Sequence, residues 1–109
     1  MRIVLLIALS LFMASCHKGA DLETRVSYWQ NKIASEVPLG TSKEKTIEWG
    51  NLQNIKFSYD QQENTLYAVA EKIPDSGVVC SHWLITLEFT LNTNNTVTQQ
   101  KVERFGNCL

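Results

Sequence analysis

The residues that most often carry catalytic chemistry or special backbone geometry are scarce in this chain of 109 residues, which has 3 cysteines, 2 histidines, 2 prolines and 5 glycines. The glycines are never spaced as a phosphate-cradling loop, and neither H-E-x-x-H nor G-x-S-x-G occurs. The commonest nucleotide-binding, zinc-hydrolase and serine-hydrolase signatures are therefore absent. Charge of one sign is lacking too, with Lys+Arg 10 against Asp+Glu 11. This gives no basic field for nucleic acid and no acidic tail. The longest apolar run, Ile3 to Met13, has 11 residues and is interrupted by Ser10. A membrane-spanning helix needs about 20. The length bounds the chain to one domain, and 44% hydrophobic residues predict a folded core rather than disorder.

The amino-terminal segment has a clear pattern. Met1-Arg2 supplies one positive charge, the apolar run follows, and the small residues Ala14-Ser15 precede Cys16. This is the layout of a secretory signal peptide. Met13-Ala14-Ser15-Cys16 also resembles the bacterial lipobox, and an ordinary signal peptide with a chance cysteine is the alternative. The lipobox resemblance implies cleavage before Cys16, diacylation of its thiol and attachment to a membrane, since two or more acyl chains give a stable anchor. His17 stands where an inner-membrane retention signal carries Asp, which implies the outer membrane. The expected organisation is a signal peptide over 1–15, a short tether over 16–20 and a single domain over 21–109.

With Cys16 assigned to lipid, Cys80 and Cys108 form an even pair in an oxidising compartment, so a disulfide is expected. It would close a loop of 29 residues, worth roughly 3–4 kcal/mol in the chain-entropy description. The competing reading is a metal site using Cys80, His82, Cys108 and His17. It lacks the paired spacing of a zinc signature, and no metal or cofactor is expected.

Leu22, Val26, Trp29, Ile33 and Val37 recur at helical spacing and predict an amphipathic helix over about 21–36, ended by Pro38. Thr41 and Glu44 read as a capping box opening a second helix over about 42–49 that stops at Gly50. The period then changes to two. Ile55, Phe57 and Tyr59 mark one strand, and Leu66 to Ile73 a second with Tyr67, Val69 and Ile73 on one face. Pro74 to Gly77 is a turn. Val79, Trp83, Ile85, Leu87, Phe89 and Leu91 share the face of a third strand, and Asn92 to Asn95 turn it back into a polar edge strand over about Thr96 to Phe105. Connections this short imply antiparallel pairing. The fold class is α+β, with two N-terminal helices on one face of a three- to four-stranded antiparallel meander sheet.

A lipobox followed by two helices and a strand meander resembles the SmpA/OmlA (BamE-like) lipoproteins over about residues 22–103. Leu39-Gly40-Thr41-Ser42 before a short helix ending at Trp49-Gly50, and Leu84 to Phe89 followed by Asn94-Asn95, are the matching segments. Gly50 is followed by Asn51-Leu52 where those proteins carry Gly-x-Pro. The resemblance implies a scaffold without an active site, in which Gly40, Thr41 and Phe89 are fold residues.

An enzyme is not expected. His82 and Glu88, six residues apart on one strand, are separated by about 20 Å, too far for a dyad, and His82 reads as a half-exposed strand residue. Asn94-Asn95-Thr96 reads as a turn rather than a glycosylation acceptor. The expected function is a small membrane-anchored module that binds another envelope protein, with neither nucleic acid nor a small-molecule substrate as partner. The alternative is an inhibitor or immunity lipoprotein acting on a secreted toxin or hydrolase. Candidate partner-binding residues are Tyr28 and Trp49 as aromatic anchors, with Asp60, Glu63 and Asp75 in two acidic turns.

Overall fold

The computed structural model describes residues 22–74 and 80–108. The signal peptide, Cys16, the tether and Asp75 lie outside them. Two helices, α1 (Leu22–Glu36) and α2 (Lys43–Leu52), precede four strands: β1 (Ser58–Asp60), β2 (Thr65–Pro74), β3 (Cys80–Leu91) and β4 (Val97–Cys108). The strands form one antiparallel sheet in the order β1-β2-β3-β4. The architecture is the α+β arrangement expected, with the helices before the sheet.

The apolar stripe of α1 becomes its buried face. Trp29, Ile33 and, just beyond the helix, Val37 are buried against Ile85, Leu87 and Phe89 of β3, Leu66 and Ala68 of β2, and Val97 of β4. At the end of α1, where helix carbonyls run out of backbone partners, the Gln100 side chain of β4 donates to Val37 O and also to Ile33 O, which already accepts from Val37 N. The linker between the helices is also stitched to β4. Gly40 N donates to Val97 O at 2.8 Å, Val97 N returns to Thr41 O at 2.8 Å, and Lys43 N donates to Asn95 O at 2.9 Å.

Four local expectations are corrected. The cap of α2 is Ser42, whose hydroxyl accepts from Lys45 N at 3.1 Å. Thr41 instead turns its hydroxyl to Pro38 O at 2.6 Å. Gly50 does not end α2, which continues to Leu52. A Cβ on Gly50 would lie 2.5 Å from the Phe57 ring, so this glycine permits close packing, and the chain reverses at Asn54, where φ is +62°. Asparagine tolerates that left-handed conformation better than other side-chain-bearing residues.

The first strand is shorter than the Ile55–Tyr59 alternation suggests. Ile55 N bonds Gly50 O at 2.7 Å, which ties that residue to the helix end, and only Ser58–Asp60 pairs with β2. Ile55 and Phe57 instead pack as coil residues into and against the core. Finally, Tyr67, Val69 and Ile73 do not share a face. A register shift between Val69 and Glu71 places Ala70 in a bulge, so that Val69 opposes Thr86 while Glu71 opposes Ile85. One extra residue inverts the alternation. Tyr67 and Val69 point away from the helices, and Glu71 points toward them.

Candidate protein-binding surface

Three parts of the surface meet the chemistry of recognition. The first is the outward flank of α1. Arg25, Tyr28, Lys32 and Glu36 recur at three- and four-residue spacing and so stand one above another. Tyr28 is 42% exposed. The Arg25 guanidinium lies 4.3 Å and the Lys32 ammonium 5.8 Å from the centre of its ring. Lys32 continues to Glu36 at 3.2 Å. Glu36 in turn accepts from the Trp49 indole at 2.8 Å. That bond, with Lys32 second, holds the Glu36 carboxyl below the usual range, and the Glu36 bond raises Lys32. Trp49 is half-buried, with its ring against Phe57 and edge-on to Phe89 at 6.4 Å. Its indole is thus engaged within the domain, clamping α2 to the end of α1.

At the other end of this ladder Arg25 reaches Glu71 through Nε and Nη2, at 2.9 Å in each case. Trp29 Nε1 donates to the same carboxylate at 2.8 Å. Burial acts to raise the Glu71 carboxyl, but the Arg25 and Trp29 bonds outweigh it and the net shift is downward.

The second part is the acidic turn between β1 and β2. Asp60 Oδ1 accepts from the backbone of Gln62 and Glu63 at 2.9 and 3.2 Å. Tyr59 donates to Asn64 Oδ1 at 2.6 Å, and Asn64 Nδ2 donates to Leu91 O and Asn92 O. Asn64, at φ +49°, completes the turn. The carboxylate of Asp60 therefore shapes the turn, while Glu63 is exposed on it.

The third part is the sheet face opposite the helices. Tyr67, Val69 and Phe105 are 43%, 50% and 52% exposed there, and they line a shallow groove of about 670 Å³ together with Glu88, Glu103 and Lys56. Scattered apolar residues on a surface are ordinary, but a contiguous patch rimmed by polar groups marks an interaction site. This face escaped the sequence reading because Leu66-Tyr67-Ala68-Val69 is apolar on both faces, so period-two alternation has no contrast to detect. Phe105 is the one aromatic residue of a mostly polar strand whose other large apolar residues are Val97 and Val102, and that isolation is the available signal.

Among the described residues, no group of three or more His, Cys, Asp or Glu is placed to hold a metal ion, and no helix is long and apolar enough to cross a membrane. His82 is half-buried on β3, opposite Pro74 and Asn107. The register sets Cys80 directly opposite Cys108 across β3 and β4. Compared with protein-family models, with curated proteins and with solved structures, the chain matches none.

Proposed function

We propose that the protein is a non-enzymatic lipoprotein of the bacterial envelope, anchored through Cys16 and acting as a protein-binding or scaffold module at the outer membrane. It does work of the kind the BamE-like resemblance implies. The observation that carries the protein-binding part is the one-sided sheet. Its inner face is closed by two helices, while its outer face keeps Tyr67, Val69 and Phe105 in solvent beside a groove. The tether of five residues over 16–20 spans at most about 18 Å, so a lipidated Cys16 confines the domain to partners at the membrane surface. The test is membrane fractionation of Cys16→Ser. Release of this variant into the soluble fraction supports the anchor, and unchanged sedimentation with membranes contradicts it.

A second reading, an inhibitor or immunity lipoprotein, draws on the stiffness of the Asp60–Asn64 turn. A loop fixed before binding loses little entropy on entering a cleft, and the bonds of Asp60 and Asn64 provide that fixing. Under this reading Glu63→Lys abolishes neutralisation of a toxin or hydrolase while leaving the fold intact. Retained neutralisation removes the turn from consideration.

A further inference from the structure

We propose that the groove on the open sheet face receives an extended segment of another protein carrying an arginine, with its guanidinium seated between the Tyr67 ring and the Glu88 carboxylate. This deepens the protein-binding reading above and rests on it.

The register supplies the geometry. Tyr67 stands directly opposite Glu88, and Glu88 opposite Lys101. Opposed side chains on one face lie about 5 Å apart at Cβ, so ring and carboxylate form one small receptor. Lys101 would be the natural partner of Glu88, but its ammonium is drawn to Glu103 at 3.7 Å. Among the described residues, no hydrogen bond or ion pair reaches the Glu88 carboxylate, although the residue is half-buried. The charged residues lining the groove are Glu88, Glu103 and Lys56. The lining is net negative, two carboxylates against one ammonium, and the unpaired Glu88 carboxylate lies opposite the exposed Tyr67.

That pairing selects a cation. Arginine fits it better than lysine, because a planar guanidinium stacks on tyrosine while its fork reaches a carboxylate. The apolar part of the groove sets the shape of the rest. Val69 and Thr86 form the next row along the strands, and Leu84 and Phe105 the row after that. Rows on one face repeat about every 7 Å, which is also the repeat of alternate side chains in an extended chain. The matching segment therefore presents arginine, then apolar residues two and four positions away.

The probe is a dye-labelled, end-blocked peptide of the pattern Arg-Ser-Val-Ser-Phe, titrated by fluorescence anisotropy with the full chain held in phospholipid nanodiscs. A second peptide carries glutamate in place of arginine. Saturable binding of the first alone is expected, weakened about tenfold by Glu88→Gln or Tyr67→Ala and unchanged by Glu48→Gln, exposed on α2. Circular dichroism of each variant separates loss of binding from loss of fold, and Glu88→Lys provides a second variant at the same half-exposed position. Equal binding of both peptides, equal binding by Glu88→Gln, or no saturation overturns the inference. So does a dimer in sedimentation that Val69→Glu dissociates, because a second copy would then occupy the face. If the peptide fails while crosslinking in cells from Val69 still captures an envelope protein, this inference falls and the wider function stands. If both fail, both fall.

Discussion

Trp29 on α1 and Glu71 on β2 are joined by a 2.8 Å hydrogen bond across 42 residues of sequence, and a bulge at Ala70 is what brings them together. Without the extra residue Glu71 would point to the open face with Tyr67 and Val69. With it, the carboxylate turns under α1 and binds both Arg25 and Trp29. One local irregularity thus fixes the helix on the sheet and, in the same stroke, leaves the outer face its apolar residues.

The Glu71 pairing predicts a pH dependence. Its carboxyl titrates below the ordinary 4.5 in the folded chain, so its contribution is fully present above that pH and is lost as pH falls through the folded value. Glu71→Gln is expected to cost about 1 kcal/mol at pH 7 and less at pH 3. Urea titrations at the two pH values check this, and an equal loss at both contradicts it.

Gly50 predicts a steric effect. Gly50→Ala places a methyl group 2.5 Å from the Phe57 ring and 3.0 Å from the Ile55 carbonyl. Overpacking of this kind costs about 1–3 kcal/mol. Chemical denaturation should show that loss, and adding Phe57→Leu should recover part of it, since neighbouring sites couple. A neutral Gly50→Ala would contradict the close approach.

Cys80 and Cys108 face each other in register. Opposed residues in antiparallel strands have Cα atoms about 4.5–5.5 Å apart, within the usual disulfide range of about 4.4–6.8 Å. Intact mass of the purified chain under non-reducing conditions is expected to show both thiols linked, and reduction to lower stability by roughly 3–4 kcal/mol. Two free thiols would show that no such staple forms.

Much of this fold is readable from spacing, because burial enforces it. The Trp29, Ile33 and Val37 stripe and the Ile85, Leu87, Phe89 and Leu91 alternation each have one wet side to contrast with. The failures occur where contrast is missing or two residues compete. Thr41 and Ser42 are both sound helix caps, and only the bond to Lys45 N decides for Ser42. Gly50 resembles a stop signal, and its packing role depends on Phe57, seven residues on, folding back over it. The bulge leaves no mark, since Tyr67, Val69 and Ile73 fall on odd positions straight through it. Of the candidate binding residues, Tyr28 is exposed as its position off the apolar stripe suggests. Trp49 is drawn inward by Glu36 and Phe89, partners 13 and 40 residues away that its local spacing does not reveal.

Binding of another envelope protein by the open sheet face is best probed by photo-crosslinking in living cells. A photoreactive residue is placed at Val69 on that face, with a control at Glu48, exposed on α2. A discrete adduct with an envelope protein is expected from Val69 and none from Glu48. No adduct from Val69, or the same adducts from both positions, would contradict it.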